Sequence, residues 1–350
     1  QRLYESSDNS ASIKKVNAMI KRFTFGQSVY FCNSCSDALE ISALALGLNE
    51  SHEVIVPDYT FVTSASTFAL RNAKICFCDI TLNDMCLDLK KAEKLITNKT
   101  KALVWVDYAG CANRVKEARK LCDKYGLILI QDAAQSFGNW HNESVSNLIQ
   151  GDFVTYSFHS TKNITSGGEG GCLILNNNKY QDKVDVIFEK GTNRREFLRG
   201  DIDKYTWRDL GSSYAGSYSQ AALLIPQLEN LEFIINERVE AWSFYHKAFS
   251  LNKNIELSGW RLPHSENIAN AHIFWLLAPS EKCAINLRKS LLKKGVQSVA
   301  HYQSLYNSPA GQRYGKSPLS LENSSYASKC LVRLPLWHGI KGDELNLVVN

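Results

Sequence analysis

The sequence predicts an α/β fold, with a large, mostly parallel sheet covered by helices and a smaller α/β domain behind it. Two patterns carry this expectation. From about residue 28 to 180, short apolar runs alternate with helical patterns, the signature of strands joined by crossover helices. From about residue 190 the alternation stops in a polar, aromatic, glycine-containing segment, and a second helix-and-strand pattern follows it.

The apolar runs are "SVYFC", "HEVIVP", "AKICFCDI", "KALVWVDYA", "LILIQDAA", "DFVTYSF" and "GGCLILN". Between them lie the helical patterns "SDALEISALALGL", "FVTSASTFALRN", "LKKAEKLI" and "RVKEARKLCDKYG". In the first of these, Ala38, Ile41, Ala45 and Leu48 recur at helical spacing behind Ser36, an expected N-cap, and Gly126 stands where a helix C-terminus is expected. The stretch 190–220 is too long for a routine connection, and its aromatics point to an ordered loop at a functional site. "LENLEFIINERVEAWSFYHKAF" then reads as a long helix, followed by "AHIFWLLA", "AINLRKSLLKKG" and "VQSVAHY". The expected division is a large domain over 1–235 and a small one over 236–350, the natural chain extending beyond both ends.

Composition narrows the function. The chain has 350 residues, 40 basic against 35 acidic, and a net charge of +5 without a long basic block, which gives little support to a nucleic-acid or membrane-surface partner. No apolar stretch reaches the roughly 20 residues of a membrane-spanning helix, so a soluble, cytoplasmic protein is expected. The ten cysteines are diluted through apolar runs and read as reduced, buried thiols. Cys32 and Cys35 form a C-x-x-C without a second pair at zinc-ribbon spacing, so no metal is expected.

Ligands of open α/β sheets bind beyond the carboxyl ends of the strands, and three groups fall there. Ser34, Cys35 and Ser36 bridge a strand and a helix, where hydroxyls and N–H groups can converge on an anion, although a plain serine cap explains them equally well. Asp132 ends an apolar strand with Gln135 three residues on. A carboxylate there is costly unless it meets a cation or hydrogen-bond donors, or caps a helix. Lys162 lies in "SFHSTKN", flanked by Ser157 and Thr161 and followed by Gly167, Gly168, Gly170 and Gly171. A lysine in a partly desolvated pocket is held neutral more readily and serves carbonyl chemistry. An amine, an acid and an anion cradle together are what pyridoxal phosphate requires.

At this point the sequence resembles a known family. "PDYTFVTSA", "DAAQ", "SFHSTKN" and "GGEGG", in this order and spacing, are similar to the DegT-type nucleotide-sugar aminotransferases, and the likeness runs over nearly the whole chain. The resemblance implies a fold-type-I, aspartate aminotransferase-like architecture and a homodimer with shared active sites. It also implies Lys162 as the Schiff-base lysine and proton carrier, Asp132 on the pyridine nitrogen, Gln135 on the phenolic oxygen and Phe61 stacked on the ring. Ser157, Cys35 and Ser36 are implied on the phosphate, joined by Ser213 from the neighbouring subunit where the family usually has Asn.

Within the family, "KGTNRREFLRGDIDKYTWRDLGSSY", "HYQSLYNSPAGQRYG" and "RLPLWHG" most resemble the branch that aminates dTDP-4-oxo-6-deoxy-D-glucose to the 4-amino-4,6-dideoxygalactose product, as in common-antigen synthesis. That implies a dTDP-linked keto sugar as substrate and L-glutamate as amino donor. Tyr4, Tyr214, Tyr218, Tyr302 and Tyr306 are expected near the sugar nucleotide. Tyr306 replaces a histidine of that branch, and "YAGSY" over 214–218 replaces "YLMSD". The glucose epimer and a 3-amino sugar are therefore alternatives, and a non-catalytic binding or regulatory protein is the alternative from outside the enzymes.

Overall fold

A computed structural model describes residues 9–139, 145–252 and 257–350. Tyr4 lies outside the described residues. The chain opens with helix α1 (Asn9–Thr24) and then alternates: β1 (Ser28–Cys32), α2 (Cys35–Ala45), β2 (Glu53–Pro57), α3 (Thr63–Ala69), β3 (Lys74–Cys78), α4 (Leu89–Leu95), β4 (Thr100–Val106), α5 (Val115–Tyr125) and β5 (Ile128–Asp132). After α6 (Val145–Leu148) come β6 (Phe153–Ser157), β7 (Gly171–Leu175), α7 (Gln181–Phe188), α8 (Arg194–Arg199), α9 (Tyr218–Glu229) and α10 (Leu231–Ser250).

Among the described residues the large sheet has eight strands, in the order β1-β7-β6-β5-β4-β2-β3-β10, the last being the short strand β10 (Gly315–Lys316). Strands β2 to β6 pair in parallel, while β7 runs against both of its neighbours, β1 and β6. Alternate side chains of a strand point to opposite faces. Val54, Val56, Ile75, Phe77 and Val104 therefore pack on one side against Leu39 of α2 and Phe68 of α3. Ile55, Cys76, Leu103 and Trp105 pack on the other, against Val115, Ala118 and Cys122 of α5. With both faces covered, these strands read as near-continuous apolar runs.

A second, antiparallel sheet is formed by β8 (Phe274–Leu277), β11 (Leu331–Leu334) and β9 (Val299–Ala300), with β11 in the middle. Its Trp275, Leu277, Leu331 and Val332 join the same core as Trp105 and Leu103. The expected boundary at 235/236 falls inside α10. The first half of that helix, through Leu231, Ile234 and Ile235, packs with the large sheet; Ala241, Trp242 and Tyr245 of the second half pack with the small one. The strand Gly315–Lys316 returns to the edge of the large sheet beside β3, where Lys316 is ion-paired with Glu53. One helix and one returning strand thus tie the two sheets together.

Two local expectations are corrected. The N-cap of α2 is Ser34, not Ser36: its backbone is extended (φ −154°, ψ 166°) and its hydroxyl accepts from the Asp37 N–H at 3.0 Å, so the helix begins at Cys35. The long helical pattern from Leu228 breaks at Asn230, which separates α9 from α10. The segment 190–220 is ordered through α8 and bridges of Thr192 to Trp207 and Glu189 to Ser213. Gly126 ends α5 in the left-handed region at φ +65°, as a C-terminal glycine does. No described helix is long and apolar enough to cross a membrane.

Candidate active site

The carboxyl ends of β2, β4, β5 and β6 open into one cavity of about 510 Å³. Its lining includes Cys35, Ser36, Phe61, Asp132, Gln135, Ser157 and Lys162, together with Thr60, His159, Glu169, His272, His301, Tyr302 and Arg333.

Asp132 is the last residue of β5 and is buried. Its Oδ2 accepts from the Ser64 hydroxyl at 2.6 Å and its Oδ1 from the Ala134 N–H at 3.2 Å; the Ser64 oxygen is in turn 2.9 Å from that of Thr60. Burial is the largest influence and pushes the carboxyl up from its ordinary range, against the two hydrogen bonds and the Lys162 charge. A buried carboxylate of this kind is stabilised by a cationic N–H donor.

Lys162 stands in the loop between β6 and β7. Ser157 ends β6 and its hydroxyl accepts from the His159 N–H at 3.3 Å; the Phe158 N–H donates to Gly170 at 2.7 Å, Ser160 to Gly168 at 2.8 Å and Lys162 to His159 at 2.9 Å. The loop is thereby pinned across its width. Burial lowers the Lys162 pKa below its ordinary value, helped by the charge of Arg333 and opposed by Cys35 and Asp132. Burial thus disfavours the charged amine.

The N-terminus of α2 packs directly over β7. A Cβ on Gly171 would lie 2.3 Å from the Cys35 nitrogen, so only glycine permits this approach. The leading N–H groups of an α-helix have no acceptor within it and carry the positive end of its dipole. Those of Cys35 and Ser36 share the cavity lining with the hydroxyls of Ser36 and Ser157, a donor set that suits an anion. A buried acid, a lysine whose pKa burial lowers and a set of anion-binding donors on one cavity fit pyridoxal phosphate.

Gln135 spans the cavity floor: its Oε1 accepts from the Ala109 N–H at 2.9 Å and its Nε2 donates to the Tyr302 hydroxyl at 3.0 Å. Phe61 is 53% exposed at the rim. Tyr302 holds a left-handed backbone (φ +50°), unusual for an aromatic residue. Its ring stacks on His301, centroids 3.7 Å apart.

Four expected residues lie elsewhere in this chain. Tyr306 packs against Phe77 with ring centroids 5.9 Å apart and gives its N–H to Asp58 at 2.7 Å. Tyr214 is buried over α2, its hydroxyl reaching Glu40 at 3.4 Å. In both cases the apolar ring is drawn into the core and away from the cavity. Tyr218 starts α9 on the surface, and Ser213 is exposed, bridged through its backbone to Glu189.

Sequence reasoning missed Ser64, His272, His301 and Arg333. His272 Nδ1 is 2.9 Å from Asn163 Oδ1 and His301 Nδ1 is 2.8 Å from the Tyr108 hydroxyl. Burial first, then the positive charges of Lys162 and Arg333, hold both imidazoles well below their ordinary pKa, so they are neutral. The "RLPLWHG" and "HYQSL" segments contain Arg333 and His301, but nothing in their local pattern points inward. All ten cysteines are free thiols, and no metal-binding cluster occurs among the described residues.

A parallel sheet with a lysine, an acid and an anion cradle at its carboxyl edge defines the class, a pyridoxal-phosphate-dependent transferase. The sequence profile of the DegT/DnrJ/EryC1/StrS aminotransferase family matches residues 8–350. The GDP-perosamine synthase of Vibrio cholerae is 28% identical over 320 residues, 89% of this chain and 82% of its own length. An aminotransferase from Psychrobacter cryohalolentis superposes with a TM-score of 0.87 at 20% identity, covering 97% of this chain and 89% of the other. Helicobacter pylori PseC, an aminotransferase of pseudoaminic acid biosynthesis, superposes with a TM-score of 0.83 at 22% identity, covering 97% and 89%. The chain belongs to the DegT/DnrJ/EryC1/StrS aminotransferase family and is a pyridoxal-phosphate-dependent sugar aminotransferase. Its substrates are a nucleotide-linked keto sugar and an amino donor.

Proposed function

We propose that this enzyme, as a homodimer, transfers the amino group of L-glutamate to the 4-keto carbon of dTDP-4-oxo-6-deoxy-D-glucose, giving dTDP-4-amino-4,6-dideoxy-D-galactose. The observation that carries the reading is the meeting of Asp132, Gln135, Ser157 and Lys162 on one cavity. Support for the sugar comes from the segments around 190–214, 301–315 and 333–339.

When bound, pyridoxal phosphate supplies the aldehyde that takes up the amino group and a ring that withdraws electrons from the reacting carbon. Lys162 Nζ, whose pKa burial lowers, takes and returns the proton at that carbon. Asp132 accepts from the ring N–H, a charge-assisted bond worth about 1.5–3 kcal/mol, and Ser64 aims its carboxylate. Gln135 Nε2 retains a second N–H beyond the one given to Tyr302, free to meet the phenolic oxygen. Phe61 covers the ring face, while the Cys35 and Ser36 N–H groups with the Ser36 and Ser157 hydroxyls hold the phosphate. Ser213, exposed and away from its own chain's cavity, supports the dimer: it serves the phosphate of the neighbouring subunit.

A second reading exchanges the nucleotide, since the V. cholerae relative is named for a GDP sugar. The test is the proton NMR spectrum of the product from enzyme, pyridoxal phosphate, L-glutamate and dTDP-4-oxo-6-deoxy-D-glucose. A small H3–H4 coupling marks the axial amine expected here. A large coupling assigns the glucose epimer; no amine with dTDP but turnover with the GDP sugar selects the second reading.

A further inference from the structure

Behind the large sheet, outside the cavity, lies a second buried carboxyl. Asp107 follows Val106, the last residue of β4, and its N–H donates to the Asp132 carbonyl at 3.0 Å. Trp105 pairs in register with Gln131, and alternate side chains of a strand point to opposite faces. The Asp107 side chain joins those two on the rear face, while Asp132 turns into the cavity. Two carboxyls thus stand at the ends of neighbouring strands, back to back across the sheet.

Asp79 and Asp84, also buried, meet Lys91 and Arg114, whereas Asp107 has no ion-pair partner among the described residues. Three hydrogen bonds take the place of a cation. Trp105 Nε1 donates to Oδ1 at 2.9 Å, and Gln131 Nε2 and the Ser136 hydroxyl donate to Oδ2 at 3.0 and 2.7 Å. The Ser136 oxygen also lies 3.3 Å from the Ala133 carbonyl. When Asp107 is ionised, Ser136 donates to it; when Asp107 carries a proton, it donates to the Ser136 oxygen, and that hydroxyl turns to Ala133. A proton can come and go here without breaking the contact.

What changes is one negative charge. Burial pushes the Asp107 carboxyl up to about 7, its three donors oppose the rise, and the charge of Asp132 adds to it. Tyr156 of β6, the titratable side chain set against Asp107 from that strand, is held neutral by burial. Interaction between charges is mutual, so an ionised Asp107 adds to the field that Asp132 exerts on any cation it meets. The cofactor ring rests on Asp132 in both half-reactions, amine uptake from the donor and amine delivery to the sugar.

Resting on the proposed contact of Asp132 with the ring nitrogen, we infer that Asp107 is a positioning residue acting through Asp132: ionised, it strengthens the hold on the protonated ring nitrogen, and protonated, it relaxes that hold.

The test measures binding of pyridoxamine phosphate, which needs no bond to Lys162, to cofactor-free wild type and Asp107→Asn. Asparagine copies the protonated acid. The ratio of the two affinities, wild type over variant, is expected to rise roughly 3- to 10-fold from about pH 6 to about pH 8.5, an effect of up to about one pK unit between neighbouring charges. With the analogue whose ring nitrogen is replaced by carbon, the ratio stays flat. Ser136→Ala removes a donor to the carboxylate and moves the rise to higher pH; it carries the test if Asp107→Asn does not fold. Without any ligand, the stability of wild type relative to Asp107→Asn is expected to fall from about pH 4 to about pH 7 and to level off above, because the unfolded acid ionises near 4 and the folded one keeps its proton to about 7. A ratio constant over this range, a rise that persists with the carbon analogue, or a stability difference without pH dependence overturns the assignment. A wild type that binds no pyridoxamine phosphate at any pH overturns the proposed site instead, and the inference with it.

Discussion

The cavity has two walls of different origin. One is made of α2, β5, β6 and the Lys162 loop, from residues within 130 positions of each other and all at strand ends. The other is made of His272, His301, Tyr302 and Arg333, brought in by the second sheet from the last third of the chain. The first wall carries an amine, an acid and an anion cradle, suited to a cofactor that serves every turnover. The second carries neutral imidazoles, a strained tyrosine and an arginine whose Nε has no hydrogen-bond partner among the described residues. The two walls come from different parts of the chain, so that substitutions in each are distinguishable by experiment.

The largest effect is expected in the first wall. Lys162→Arg removes a group able to move a proton at neutral pH, and steady-state turnover is expected to fall by on the order of 10²–10⁴ in both half-reactions alike. Asp132→Asn, losing the charge but keeping the shape, is expected to cost about 10- to 150-fold, again in both halves, measured by single-turnover absorbance. A substitution here that slowed only one half-reaction would break the division between the walls.

Gly171→Ala tests how the cradle is built. Its Cβ would collide with the Cys35 nitrogen at 2.3 Å, so the α2 N-terminus must move off β7. Overpacking of this kind costs about 1–3 kcal/mol, to be read by denaturant unfolding, and weaker retention of the phosphate-bearing cofactor in dialysis accompanies it.

The smallest effect lies in the second wall and depends on pH. His301 is neutral in the fold because burial and the charges of Arg333 and Lys162 hold its pKa well below 6.5. Above about pH 6.5 neither folded nor unfolded chain protonates it, and the residue adds no pH dependence. Below that, the unfolded chain takes up the proton first, so stability falls with pH at up to about 1.4 kcal/mol per unit. His301→Gln lacks this group, and the stability difference between wild type and variant, measured on the cofactor-free protein, is expected to be flat above pH 6.5 and to move against the wild type below it. A difference that is flat throughout would mean a histidine protonated alike in both states.

The two walls also explain what was legible in the sequence. Asp132 and Ser157 sit at the ends of near-continuous apolar runs, where a polar residue is conspicuous and its place at a strand end follows from the run, and Lys162 follows in the loop five residues after Ser157. The order of α2 and its cap was nearly readable too; the cap fell at Ser34 because its extended backbone lets the hydroxyl reach the Asp37 N–H, which Ser36 inside the helix does not do. Arg333 and His272 lie 61 positions apart and meet only through the pairing of β8 with β11, a tertiary fact absent from any local pattern. Tyr306, whose neighbourhood resembles a substrate-binding segment, packs on Phe77 and is not part of the cavity lining, and no local pattern marks that contact. Helix α10 is apolar toward both cores, and nothing in its periodicity marks the passage from one to the other.

The central claim is that Lys162 is the residue that joins this fold to its cofactor. The most direct measurement is borohydride reduction of the cofactor-loaded protein followed by peptide mass spectrometry to locate the pyridoxyl label. The label is expected on the peptide containing Lys162 and is expected to disappear in Lys162→Arg. A label on another lysine, or none in a protein that nevertheless retains the cofactor, would contradict it.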